Sequence, residues 1–204
     1  MRAFLFTIFN SMKLLREFYL RDGLTVAKDL IGKKLVHNSA EGLTAGIIVE
    51  VEAYLGKIDA AAHAYKGRTS RTEITFGAGG FAYIYLIYGK NICMNVVANV
   101  AEIPDAILIR ALQPVEGINL MQARRNKINL RELCNGPGKL TQAMAITKNH
   151  YGVDLCGDEL FIETAENFQP DIVATKRINI DYAGNAANFL WRFIQKNNKF
   201  VSRK

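Results

Sequence analysis

The sequence contains few of the residues that build metal centres and disulfide frameworks. Three cysteines and three histidines are spread through 204 residues, without a Cys-x-x-Cys pair or a Cys/His cluster. Disulfide frameworks use paired cysteines, and structural zinc sites use clustered ligands. We therefore expect reduced thiols, no metal, no other cofactor and a cytoplasmic protein (nucleoid-associated if bacterial).

Long apolar runs, repeats and Pro/Ser-rich linkers are absent as well. No segment reaches the ~20 apolar residues that cross a bilayer, so we expect no membrane association. The apolar run 3–9 is short and no small-residue cleavage site follows it, which disfavours a signal peptide. We expect residues 1–12 to form a disordered N-terminal extension, with Met12 as an alternative start, and residues 13–204 to form a single domain.

The charge is unbalanced toward the basic side. Lysine and arginine total 26 against 19 aspartate and glutamate residues, a net charge of +7, and half of the residues are hydrophobic. This composition predicts a folded core. A basic excess suits a polyanionic partner, because phosphate neutralisation dominates non-specific affinity for nucleic acids. An ordinary basic surface would give the same balance, so charge permits DNA binding and does not establish it.

Apolar patterns predict strands joined by short turns and a few helices. We predict helices over 24–31, from Pro114 onward, and over 140–146. Predicted strands cover 33–37, 44–54, 81–88, 92–97, 106–112, 159–163 and 177–180, with a last apolar segment at 189–194. Because hairpins join the strands and helices do not alternate with them, we predict an α+β fold with a curved, largely antiparallel β-sheet and flanking helices.

Two carboxylates share one face of the second predicted strand. Alternate side chains of a strand point the same way, so this face carries Ile48, Glu50, Glu52 and Tyr54. Charges on so apolar a strand cost free energy unless they are solvated, paired or functional. Arg110, in another apolar strand, is a candidate ion-pair partner. The residues alone do not choose between Glu50 and Glu52.

Tyrosines dominate the predicted hairpin over 81–97. Tyr83 and Tyr85 are typical strand residues, for which packing is the ordinary interpretation. Tyr88 adjoins the predicted turn, where a large aromatic side chain can protrude. Such a side chain could insert into a base stack, although packing is the alternative.

Five collinear motifs resemble the 3-methyladenine (alkyladenine) DNA glycosylase family. The similarity runs from about Phe18 to the end of the chain, in one order and with matching spacings. The motifs are VEVEAYLG (49–56) continuing through Asp59 to His63, YIYLIYG (83–89), CMN (93–95), LIRALQP (108–114) and LCNGPGKL (133–140).

The resemblance implies a monofunctional hydrolase that flips alkylated or deaminated purines out of double-stranded DNA. It implies that Glu52 is the general base that activates a water molecule. Arg110 and the backbone carbonyl of Ile178 would help to hold this water. The base pocket would consist of Tyr54, His63, Tyr85 and Asn95, with Asn95 at its floor. Tyr88 would intercalate, Lys139 and Lys148 would contact the DNA backbone, and the enzyme would act as a monomer.

A single carboxylate is chemically sufficient for part of this activity. Glycosidases use two carboxylates because the leaving sugar oxygen needs a proton. A purine alkylated at N3 or N7 already carries positive charge, so it leaves without an acid. Two alternatives remain open: a non-catalytic nucleic-acid-binding module, in which Glu52 and Arg110 form a structural pair, and a nucleoside hydrolase, for which the usual Asp-rich metal cluster is absent.

Overall fold

A computed structural model describes residues 12–87, 89, 91–165 and 170–202. In this part of the chain, eight strands form one curved antiparallel sheet, as predicted. The strands are β1 (Lys34–Ser39), β2 (Gly42–Leu55), β3 (Ala82–Ile87), β4 (Asn91–Ala98), β5 (Asp105–Glu116), β6 (Leu160–Glu163), β7 (Ile172–Thr175) and β8 (Arg192–Gln195).

The long strands β2 and β5 lie at the centre of the sheet. The strand order is β3-β4-β5-β2-β1-β6, and β8 pairs with both β2 and β7. Hairpins connect β1 to β2 and β3 to β4. Because β2 and β5 pair over most of their length, a side chain on either strand can reach its counterpart on the other.

Five α-helices flank the sheet in the described residues. They are α1 (Arg16–Tyr19), α2 (Gly23–Leu30), α3 (Ile118–Arg125), α4 (Leu130–Leu133) and α5 (Pro137–Ala143). Asp22 caps α2 by accepting a hydrogen bond from the Thr25 amide at 3.0 Å. None of the described helices has the length and apolar character needed to cross a membrane.

A register irregularity separates the apolar face of β2 from its charged face. Pairing with β5 shifts twice between Ile48 and Val51. Ile48 therefore packs in the main core beside Val51, whereas Glu50 and Glu52 face the other side. The prediction that Ile48 shares a face with these carboxylates is wrong, because a β-bulge breaks the strict alternation of a strand.

Two other predictions fail at element boundaries. Pro114 lies inside β5, opposite Gly46 and next to another register shift, a position that tolerates proline. The helix begins later, at Ile118, after Gly117 in the left-handed conformation (φ 65°). Residues 177–180 do not form a strand, since β7 ends at Thr175 and the chain then turns toward β2.

The predicted and observed bounds of the last helix differ. The helix predicted over 140–146 begins earlier, with Pro137 in its first turn, and ends at Ala143. Residues 1–11 lie outside the described chain. Met12 pairs with Thr164, whose amide donates to its carbonyl at 2.9 Å.

Candidate active site

A cleft of about 600 Å³ lies on the charged side of the central strands. Its lining comes from the end of β2, the turn 61–64, strands β3 to β5, the start of α5 and the segment 178–182. The structure brings most of the predicted site residues to this cleft. They are Tyr54, His63, Tyr85, Asn95, Arg110, Lys139 and Ile178.

Glu52 lies just beneath this lining, with its side chain fully buried. Its Oε1 accepts a hydrogen bond from the Ile178 amide at 2.7 Å. Its Oε2 accepts from the Tyr54 hydroxyl at 2.8 Å and from Arg110 Nη1 at 3.1 Å. A carboxylate has about four lone-pair positions, so these three donors, the ones found among the described residues, leave one position on Oε1 for a further partner.

Glu50 is equally buried, and its carboxylate accepts four hydrogen bonds from described residues. Arg110 and Arg192 each donate from Nε to Oε1, at 2.9 and 2.8 Å. The Ser202 hydroxyl donates to Oε1 at 2.9 Å and the Ser202 amide to Oε2 at 2.6 Å. Because two of the four donors are arginines, and Arg192 is not part of the cleft lining, we interpret Glu50 as a structural carboxylate.

His63 and Tyr85 form an aromatic wall of the cleft. Their ring centroids are 4.6 Å apart and the rings are nearly perpendicular. The Arg71 guanidinium lies 5.0 Å from the Tyr85 centroid, and its Nη2 is 3.3 Å from His63 Nε2. Arginine only donates, so Nε2 accepts, and Nδ1 carries the proton that it donates to the Tyr83 oxygen at 2.8 Å.

The His63 and Tyr85 rings of this wall are uncharged near neutral pH. Desolvation, with a smaller contribution from Arg71, lowers the pKa of His63 to about 4. Burial raises the pKa of the Tyr85 hydroxyl above its ordinary value. Near neutral pH the wall therefore offers neutral rings, which suits stacking of a flat ligand.

Tyr54 connects the cleft to Glu52. Its ring faces the Arg177 guanidinium, with 4.7 Å between the guanidinium carbon and the ring centroid. Burial and, secondly, the Glu52 charge raise the pKa of its hydroxyl well above the ordinary value. Tyr54 therefore stays protonated and can donate to Glu52. Asn95 is also buried, and its Nδ2 donates to the Tyr83 carbonyl at 3.1 Å, which orients the amide in the cleft wall.

The residues expected to contact the DNA backbone lie in different places. Lys139 lines the cleft and its Nζ donates to Asn135 Oδ1 at 2.8 Å. Lys148 is exposed in the 3₁₀ turn Lys148–His150 and is not part of the lining. Tyr88 lies outside the described residues, although Ile87 and Asn91, close to it in sequence, line the cleft.

The sequence analysis assigned no role to three charged residues near the cleft. Arg71 lies on the aromatic wall, but an arginine in a polar segment gave no signal of this position. Asp59 and Arg177 form a fully buried ion pair. Arg177 was assigned to a predicted strand, and only its place next to Ile178 hinted at a role.

One group of potential metal ligands lies among residues that do not line the cleft. It consists of His37, His150 and Glu159. The two Nε2 atoms are 3.2 Å apart, and His37 Nδ1 is 2.5 Å from the Met144 carbonyl. The rings thus find hydrogen-bond partners in each other and in the backbone, which is sufficient to explain two buried histidines.

Comparison with known proteins relates most of the chain to one family. The model of the methylpurine-DNA glycosylase family matches residues 17–199. Candidate 3-methyladenine DNA glycosylases of Clostridium acetobutylicum and Alkaliphilus oremlandii are 52% and 50% identical to the chain. These alignments cover 94% and 95% of the chain, and 98% and 100% of the relatives. A candidate of the same name from Bacillus cytotoxicus is 49% identical over 94% of the chain and its own full length.

Proposed function

Since the chain belongs to the methylpurine-DNA glycosylase family, we propose that it flips damaged purines out of double-stranded DNA and hydrolyses the N-glycosidic bond with water activated by Glu52. At the level of the family, the protein is a DNA-3-methyladenine glycosylase, a hydrolase of N-glycosyl bonds. One observation carries the mechanism: the three described donors to Glu52, from Tyr54, Arg110 and Ile178, all line the cleft, whereas Glu50 also pairs with Arg192, which is not part of the lining.

Glu52 acts as the general base. A water that donates to the open position on Oε1 can transfer its proton to the carboxylate as its oxygen attacks C1′ of the deoxyribose. Arg110 pairs with the carboxylate, with 3.1 Å between Nη1 and Oε2. The Ile178 amide donates a hydrogen bond to Glu52, the general base. The Ile178 carbonyl remains our candidate for the acceptor that orients the water.

The aromatic wall receives the flipped purine. Stacking on an aromatic side chain contributes about 1–3 kcal/mol per base, which offsets the few kcal/mol that unstacking the base costs. We assign the stacking surfaces to Tyr54 on one side of the base and to His63 and Tyr85 on the other. Asn95 stands at the pocket floor, where it obstructs the 2-amino group of guanine.

Damage itself contributes to selectivity. A purine alkylated at N3 or N7 carries positive charge, so it needs no general acid and departs as a neutral base once water attacks. Weakly paired bases also cost less to extrude. Deaminated bases such as hypoxanthine are neutral and need a proton as they leave. Their excision therefore depends on a donor other than Glu52.

Contacts with the rest of the duplex are electrostatic and steric. The net charge of +7 suits a phosphate backbone. We assign backbone contacts to Lys139 and Lys148. Tyr88, which falls in the sequence between β3 and β4, would fill the gap left by the flipped base. The enzyme would work as a monomer.

The proposal is tested by the products of the reaction. The protein should release free methylated purine from an alkylated duplex and leave an intact strand with an abasic site. Lyase-type glycosylases form an imine between an amine and the sugar, which borohydride traps. Lys139 lines the cleft, so Lys139→Ala is the control. No adduct should form with either protein, and a trapped adduct lost in Lys139→Ala would overturn the water mechanism.

A further inference from the structure

A buried ion pair behind the cleft joins two of its walls. The Asp59 and Arg177 side chains are both inaccessible to solvent. Arg177 donates from its two terminal nitrogens to the two oxygens of Asp59, with Nη2 2.8 Å from Oδ1. The same guanidinium donates to the carbonyls of Ala53 and Ala186, at 2.9 and 3.1 Å.

Each member of the pair fixes a different wall. Asp59 also accepts from the amides of Leu55 and Ala61, at 3.3 and 3.0 Å. It thereby sets the path of the chain from the end of β2 to His63 and the aromatic wall. Arg177 immediately precedes the segment 178–182, whose residues Ile178–Ile180 and Tyr182 line the cleft.

Arg177 also adjoins two of the three described donors on Glu52. The Ile178 amide follows Arg177 directly in the chain and donates to Oε1. The Tyr54 hydroxyl donates to Oε2, and the Tyr54 ring lies against the Arg177 guanidinium. Only the Arg110 contact is independent of this pair.

The energetics of burial favour a positioning role. Burying two charges costs desolvation free energy that their attraction only partly offsets, so a buried ion pair is weak evidence for stability. Its fixed fork geometry, in contrast, defines the position of the groups attached to it.

We propose that the Asp59–Arg177 pair positions the catalytic carboxylate, by holding the Ile178 amide and the Tyr54 hydroxyl on Glu52. This inference rests on Glu52 being the base of the proposed function. Neither residue belongs to the cleft lining, so both are positioning residues. The pair links the geometry of the wall that binds the flipped purine to the geometry of Glu52, the carboxylate that activates water.

Single-turnover base release by Arg177→Lys and Asp59→Asn tests the proposal. We expect a rate 10–100-fold below wild type, since misplacement by about 1 Å can cost 10²-fold, with a smaller loss of lesion affinity. In NMR spectra, the Ile178 amide resonance should shift in both variants.

The matched control is Asp29→Asn. It breaks an exposed aspartate–arginine pair, Arg21–Asp29, with a 2.7 Å contact, and should leave the rate and the Ile178 resonance unchanged. If Arg177→Lys does not fold, Asp59→Asn, which preserves the shape of the carboxylate, carries the test.

Two results separate failure of this proposal from failure of the proposed function. Folded positioning variants that keep wild-type rates and Ile178 resonances, alongside an inactive Glu52→Gln, would overturn the positioning role alone. A Glu52→Gln protein with the wild-type rate would overturn the function on which the positioning role rests.

Discussion

Glu50 and Glu52 lie two residues apart on β2 and are equally buried, yet their surroundings differ. At what we call the closed end, Glu50 accepts hydrogen bonds from Arg110, Arg192 and Ser202, and Arg192 is not part of the cleft lining. At the cleft end, Glu52 accepts three hydrogen bonds from described residues, all of which line the cleft. The comparison teaches that neither burial nor strand face identifies a catalytic carboxylate. The position of the donors relative to the cleft does so.

The largest expected effect is on stability at the closed end. Glu50→Gln removes the carboxylate charge that Arg110 shares with Arg192 and leaves Arg110 with Glu52, and breaking a buried ion pair costs about 3–5 kcal/mol. Glu52→Gln should cost about 1–3 kcal/mol, because Arg110 retains Glu50. Urea unfolding of the two variants measures both free energies. Equal losses would contradict the assignment of separate structural and catalytic roles.

At the cleft end, the next effect is on lesion binding. Tyr85→Ala should weaken binding to a lesion-containing duplex by about 1–3 kcal/mol, the value of one stacking contact. Binding to undamaged duplex should not change, and Tyr85→Phe should resemble wild type. Fluorescence anisotropy with the two duplexes gives these affinities. An equal loss for both duplexes would show that Tyr85 does not stack on the flipped base.

The pH dependence of the cleft end is a smaller effect. The pKa of His63 is about 4, below its ordinary value of 6.5, so as the pH falls below 6.5 the unfolded chain is protonated at His63 before the folded protein. The His63 contribution to stability is therefore present above pH 6.5 and is lost as the pH falls toward 4. Arg71→Ala should raise this pKa while leaving it below 6.5, since burial is the larger cause. NMR titration of the His63 ring measures this pKa. An unchanged value in Arg71→Ala would contradict the contact between Arg71 and the aromatic wall.

The smallest effect concerns the DNA backbone. Affinity for undamaged duplex should fall linearly in the logarithm of salt concentration. Lys139→Ala and Lys148→Ala should each reduce the slope by about one, for all sequences alike. Titrations at several salt concentrations measure the slope. Glu50→Gln and wild type should share the same slope, since the closed end does not face DNA in this account.

Much of the architecture could be predicted from local patterns. The hairpins, the long strand β2 and its two carboxylates follow from strand periodicity and turn residues. Bulges do not, because they depend on pairing with β5, and this is why the face of Ile48 was wrong. Pro114 was misplaced for the same reason, since a proline beside a bulge is compatible with a strand.

The candidate site could be predicted where sequence motifs carry it, and only there. Tyr54, His63, Tyr85, Asn95 and Arg110 do meet at one cleft. Asp59 and Arg177 are 118 residues apart, and no pattern in the chain announces a contact over that separation. The choice of Glu52 over Glu50 rested on resemblance, whereas the position of the Glu52 donors in the cleft lining supplies a physical reason for it.

Single-turnover base release by Glu52→Gln and Glu50→Gln tests the central claim most directly. Both reactions are run with enzyme in excess over an alkylated duplex, at a temperature where both variants are folded. Glu52→Gln should lose about 10²–10⁴-fold in rate while still binding the duplex, because an amide cannot accept the proton of the attacking water. Glu50→Gln should retain substantial turnover per folded molecule. The reverse pattern would contradict the account.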